Sequence, residues 1–171
     1  MANKSTIEAV SDLHRGLVVE TANIAAVDCW LTADHIAIFT VYGRILLTEL
    51  FGQINTNMAG AVQPNFSFVG TDTNIRDICA VSASIAGLLV GNRVVWPGGT
   101  TAGTLVITGI PYDSPANTGA PFILGGVTAA GVNTTTTIYA DGSVADATGG
   151  YVRFSCAYAP MSDGAYVRNV L

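Results

Sequence analysis

The run IFTVYGRILLTELFGQI, from Ile38 to Ile54, constrains the fold of this chain more than any other stretch. It is rich in β-branched and aromatic residues, and its only charges are Arg44 and Glu49. Read at every second residue, Phe39, Val41, Gly43, Ile45 and Leu47 form an apolar set, and Ile38, Thr40, Tyr42, Arg44, Leu46, Thr48 and Leu50 form a mixed one. A period of two is the mark of a β-strand. The run is also far longer than the usual strand of about five or six residues. The first set is expected to face a core. The apolar members of the second, Ile38, Leu46 and Leu50, are expected to pack on a neighbouring subunit, with Gly43 letting the strand bend or bulge. A hairpin turning at Tyr42-Gly43, which would make two ordinary strands, is the competing reading.

Elsewhere the pattern is strands and turns. Further strands are expected at 17–20, 25–31, 65–69, 75–82, 93–96, 104–110, 121–124, 135–140, 151–159 and 166–170, with the long one at 36–51. They are separated by turn chemistry such as PGGTTAG, PYDSPANTGAP, DGS, ATGG and SDG. The stretch from 97 to 131 is Gly- and Pro-rich with weak periodicity, and the four-threonine run at 134–137 reads as an exposed strand edge. No alternation of strands with helices appears, which argues against parallel crossovers. The expected fold is all-β: an antiparallel β-sandwich, jelly-roll-like, occupying 17–171 as one domain.

Residues 1–16 differ. Ser5 and Glu8 have capping-box spacing. Ile7, Val10 and Leu13 recur at helical intervals before Gly16. A short N-terminal helix or arm is expected. So short a helix is unstable alone in water, so its stripe is expected to pack on the body or on a neighbour.

Charge narrows the partners. Half the residues are hydrophobic, but only 11% are charged, under half the usual ~25%. Between Val94 and Ala140 the one charge is Asp113. A free monomer keeps its surface soluble with mixed charges, so much of this surface is expected to be covered by other subunits. The seven Lys and Arg residues are scattered and the net charge is −5. Direct nucleic-acid binding, which needs clustered basic residues, is therefore not expected. The apolar run from 78 to 92 is too short and too broken by Ser and Gly to span a membrane. The N-terminus shows no signal-peptide pattern. The three cysteines, Cys29, Cys79 and Cys156, have no paired spacing and are expected to be reduced core fillers.

Motifs for catalysis are not apparent. No G-x-G, GK[ST], G-x-S-x-G or H-E-x-x-H motif occurs. A Ser-His-Asp or Cys-His arrangement would have to use His14 or His35. His14 lies in the arm, and His35 sits in the turn ADHI that leads into the long strand. Glu49, Asp72 and Asp77 are the mid-chain carboxylates, without the spacing of a calcium loop. No enzyme activity, cofactor or metal is expected. Trp30 is expected to plug the core. Trp96, at a strand end before Pro97, is either such a plug or an exposed anchor for a sugar or a subunit.

Three blocks then occur in a fixed order: Thr48, Leu50 and Gly52; Val69, Gly70, Thr71, Asp77, Ile78, Cys79 and Ala80; and Tyr158, Pro160, Met161, Asp163, Gly164, Ala165 and Val167. Together they resemble small virion-associated structural proteins of tailed bacteriophages. The tryptophan-rich strand of that pattern before the last hairpin is YVRFSCAY here. The resemblance implies a non-enzymatic virion component, assembled in the host bacterial cytoplasm. The expected role is a homotrimeric head decoration, or cement, protein that contacts the major capsid protein. Its expected interface residues are Ile7, Val10, Leu13, Ile38, Leu46, Leu50 and Trp96. The alternative is a glycan- or receptor-binding module, or another structural module, of a phage tail or head fibre.

Overall fold

The computed structural model describes residues 16–32, 34–71, 73–96 and 122–171, and the backbone of 106–108. The predicted N-terminal helix and most of the Gly/Pro-rich middle lie outside the described residues. The strands are β1 (Leu17–Glu20), β2 (Ile24–Ala25), β3 (Ile36–Tyr42), β4 (Arg44–Ala59), β5 (Gln63–Val69), β6 (Ile75–Asp77), β7 (Arg93–Val95), β8 (Val106–Thr108), β9 (Phe122–Gly125), β10 (Thr135–Ser143), β11 (Gly149–Pro160) and β12 (Tyr166–Asn169). Among the described residues no helix is long and apolar enough to cross a membrane.

These strands form an all-β sandwich of two antiparallel sheets. The first has the order β1-β11-β4-β7-β8, with β2 also on β11 and β9 also on β4. The second has the order β12-β3-β10-β5-β6. The pairs are nested along the chain: β5 with β6, then β4 with β7, then β3 with β10, then β1 with β11. Each successive pair lies in the other sheet, so the chain behaves as one long antiparallel ribbon folded repeatedly over a core. That core joins Phe39, Val41, Phe66 and Ile138 of the second sheet to Ile45, Leu47, Leu50, Ile54 and Phe154 of the first. Each such fully buried side chain contributes about 1.5–3 kcal/mol of transfer free energy.

The long run from Ile38 serves both sheets. β3 belongs to the second sheet and β4 to the first, and the chain crosses between them at Gly43. Gly43 has φ +74, and a Cβ there would lie 2.6 Å from Asn133 Oδ1 and 2.7 Å from Ser162 Oγ. The corner is pinned from outside: Gly43 N–H donates to Thr134 O, and Arg44 N–H donates to Ser162 Oγ. The hairpin alternative is excluded, because β3 and β4 do not pair with each other.

The expected core set holds: Phe39, Val41, Ile45 and Leu47 are all fully buried. Ile38 and Leu50, expected on the opposite face, are fully buried as well. Two β-bulges are the reason. Phe39 pairs with Ile138 and Ala37 with Tyr139, so Ile38 is the extra residue of β3. Leu47 pairs with Tyr158 and Glu49 with Ala157, so Thr48 is the extra residue of β4. An inserted residue resets the alternation, which turns Leu50, Gly52 and Ile54 inward.

Two other strand expectations change. The predicted strand 25–31 is only β2, followed by a 3-10 turn at Ala26–Asp28, where Trp30 N–H donates to Ala26 O. The turn drives the Trp30 ring into the core, edge-on to Phe154 at 5.6 Å. The predicted strand 75–82 ends at Asp77. The chain then runs back along β5 and the end of β4, bonding backbone to backbone at Phe66, Pro64, Val62, Met58 and Ile54. Ile78, Cys79 and Ile85 on this segment fill the core. β10 is the central strand of the second sheet, but the threonine run is its start: Thr135 and Thr136 pair with β3 alone, and only Thr137 is flanked by both β3 and β5.

Candidate functional site

The structure disperses the predicted interface residues. Ile38 and Leu50 are core, and Trp96 is 1% exposed, with its ring edge-on to Phe122 at 6.5 Å. None of these three offers a surface, so each expectation is corrected. Trp96 is the core plug of its two readings, and its ring offers no exposed platform to a sugar or a subunit. Leu46 does lie on the outer face of the first sheet, in register with Ala159 and Ile123. Ile7, Val10 and Leu13 lie outside the described residues.

The outer face of the second sheet carries a cluster of amphipathic side chains. Tyr166 on β12 is directly opposite Tyr42 on β3, and their rings stack 4.6 Å apart at 18°. The Arg168 guanidinium lies 5.5 Å from the Tyr42 ring centre. Val167 between them points inward, so strand alternation itself places Tyr166 and Arg168 on this outer face. An exposed tyrosine stacked on a half-buried one and flanked by an arginine presents the side chains most often found at binding hot spots. Sequence reading missed this group, because the partners Tyr42 and Tyr166 are joined only by the β3–β12 register.

Lower on the same sheet, His35 Nδ1 sits 2.6 Å from Asp141 Oδ1. Asp141 is buried beside Asn65 and Ser67, and Asn65 Nδ2 donates to Asp77 Oδ1 at 3.2 Å. Burial raises the Asp141 pKa, and the neighbouring Ser67 hydroxyl and the contact with His35 offset part of that rise. In a nucleophile–base–acid relay the imidazole stands between hydroxyl and carboxylate. Here the carboxylate stands in the middle, so the group anchors His35 at the entry to β3 rather than activating Ser67. The sequence already held His35 as a residue of interest, but its partner lies on a distant strand.

The thiols are equally committed to structure. Cys29, Cys79 and Cys156 are unpaired and buried. Burial pushes Cys79 and Cys156 up to about 12 and raises Cys29 further. Such thiols are poor nucleophiles and poor metal ligands. Among the described residues no group of three His, Cys, Asp or Glu side chains could hold a metal ion.

A cavity of about 330 Å³ opens where β5 and β6 face β9 and β10. Phe68 and Phe122 line it edge-to-face at 5.8 Å, with Thr71, Arg76 and Thr136 around them. It is large enough for a small saccharide, and it lies one ring away from Trp96.

Fold and surfaces together define a β-sandwich of two antiparallel sheets. No protein-family model matches the chain, and neither a curated protein nor a solved structure matches it.

Proposed function

We propose that this chain is a non-enzymatic structural protein of a tailed-phage virion. In this reading it is a homotrimeric decoration protein whose sandwich is a jelly roll, and it stabilises the expanded head by bridging capsomers. The observation that carries the reading is the nested pairing. In chain order, β1, β3, β4, β5, β6, β7, β10 and β11 fall in the first, second, first, second, second, first, second and first sheets. That alternation is the one a ribbon makes when rolled into two Greek keys, an architecture recurrent in viral capsid proteins.

The surface supports assembly. Large apolar side chains are exposed at Leu17, Val18, Tyr166, Val170 and Leu171, around the edge where β1 and β12 come together. Few charges accompany them in a chain that is only 11% charged. The Tyr42–Tyr166 stack with Arg168 is the proposed anchor between subunits. Threefold symmetry suits the points where capsomers meet. Bound subunits favour the intact shell by mass action, with burial of apolar surface in place of chemistry. The partners are the chain itself and the major capsid protein, with no direct nucleic acid and no membrane. Assembly takes place in the host cytoplasm.

Quantitative mass spectrometry of purified virions tests the reading. A copy number close to that of the major capsid protein is expected. A few copies per particle would move the chain to a tail or vertex, and absence from the particle would overturn the reading.

The cavity at Phe68 and Phe122 favours a second reading, a glycan-binding module of a tail or head fibre. Stacking rings beside hydroxyls and a guanidinium suit a sugar. Oligosaccharides that bind there should change the fluorescence of Trp96 through Phe122.

A further inference from the structure

We propose that the amino-terminal segment, residues 1–15, docks back on its own subunit, across the outer face of the first sheet over the row Ala159–Leu46–Ile123. The inference does not depend on the virion reading.

The row is set by register. Leu46 pairs with Ala159 on one side and with Ile123 on the other. Leu17 pairs with Tyr158, which brings Gly16 level with Ala159. The segment therefore leaves β1 at the end of this same row. Gly16 has φ +70, and a Cβ there would lie 2.8 Å from Tyr158 O. The chain thus enters β1 through a left-handed turn pressed against β11, a conformation and an approach that only glycine tolerates.

The face has an apolar strip to cover. Leu46 is half-buried, while Ile123 is 52% and Val18 60% exposed. Away from the row the face is already covered at Phe51, which is buried beneath the Arg93 guanidinium 4.3 Å from its ring centre. The strip ends at mixed charge, where Arg153 pairs with Glu20 at 3.5 Å. The segment matches in kind. It carries an apolar stripe of Ile7, Val10 and Leu13, and its charges, Lys4, Glu8, Asp12 and Arg15, are two of each sign.

The lengths also agree. From β1 across β11 and β4 to β9 is three strand spacings, about 14 Å. A helix from Ser5 to Arg15 is about 15 Å long. The tether between segment and row is a single glycine, so the local effective concentration far exceeds that of a second copy.

A double variant, Ile7→Cys with Ile123→Cys, treated with a short bismaleimide, tests the placement, because Ile7 is the stripe residue that reaches β9. The native thiols are buried and do not compete. The expected product is an intrachain cross-link at monomer mass, identified by peptide mass spectrometry. Cross-links between chains would put the segment on a neighbouring copy and overturn the proposal, as would no cross-link at all. Trypsin provides a second measurement on chains that stay folded. Leu46→Asp should speed cleavage after Arg15 at least tenfold, and an unchanged rate would equally overturn the proposal.

Discussion

Leu47 and Leu50 lie three residues apart on one strand, and both are fully buried in the same core. Strict alternation would send them to opposite faces, and the Thr48 bulge brings them to one. Leu46, four positions before Leu50, stays outside. Leu50→Ala should therefore cost about 2–5 kcal/mol, as a core truncation does. Leu46→Ala should cost about 1 kcal/mol. Urea unfolding of the two variants measures the difference directly. Equal losses would mean that the bulge does not set the facing of β4.

The corner at Gly43 predicts a second contrast, between two glycines with nearly the same backbone. Gly43 has φ +74 and is crowded by Asn133 and Ser162, while Gly131 has φ +79 with nothing within 4 Å. Gly131→Ala carries only the left-handed penalty, about 1–2 kcal/mol. Gly43→Ala adds the displacement of two side chains that hold the corner, where Ser162 Oγ–H donates to Asn133 Oδ1 at 3.0 Å and Asn133 Nδ2 donates to Asp163 O. A loss of about 3 kcal/mol or more is expected. Thermal melts of both variants check it.

What the sequence made legible follows the same physics. Period-two patterns and turn residues are local, so the sandwich class and most strands could be read, and the Phe39–Leu47 core set with them. The bulges at Ile38 and Thr48 are mismatches with β10 and β11, about a hundred residues downstream, and no local pattern records them. Trp30 falls in a predicted strand because IAAVDCW is apolar but for Asp28, while its turn is fixed by backbone bonds to Ala26. His35 was visible as a lone histidine. Its carboxylate is separated from it by 106 positions and meets it only through sheet register. The tyrosine stack was hidden for the same reason.

The buried carboxylate gives the fold a pH dependence of definite sign. The folded pKa of Asp141 is raised, chiefly by desolvation. Folding therefore favours its protonated form. That contribution is complete below the unfolded carboxylate range, about pH 4, and is lost as pH rises through the raised value. Asp141→Asn removes this dependence. The variant should melt close to wild type near pH 4 and above it at pH 7 to 8. A gap that is constant with pH would show that Asp141 does not titrate differently on folding.

The thiols predict a chemical observation. With Cys29, Cys79 and Cys156 buried and their pKa values raised, the folded protein should be inert to a thiol-exchange reagent at pH 8. In denaturant all three should react within the mixing time. Rapid reaction of even one thiol in the native state would show that part of the core opens easily, most plainly beside Cys79 on the segment that follows β6.

The Tyr42–Tyr166 pair is the proposed anchor between subunits, and its effects on subunit stability and on assembly can be separated. Within the subunit a stacked aromatic pair contributes about 0.5–1.5 kcal/mol, so Tyr166→Ala should lower the melting midpoint only slightly. Tyr166 is nevertheless 46% exposed, and Arg168 flanks the stack on the same outer face. If this is the anchor between subunits, truncation removes a hot-spot contact of about 2 kcal/mol or more. Three equivalent contacts close a ring, so the loss acts three times in a trimer. Sedimentation of Tyr166→Ala should then show monomers at concentrations where the wild type is assembled, with the circular dichroism of an intact sandwich. Arg168→Ala should act in the same direction and more weakly. A Tyr166→Ala protein that sediments as the wild type does would remove the outer face of the second sheet as the contact between subunits, and would leave the edge formed by Leu17, Val18, Val170 and Leu171 as the surface to vary next.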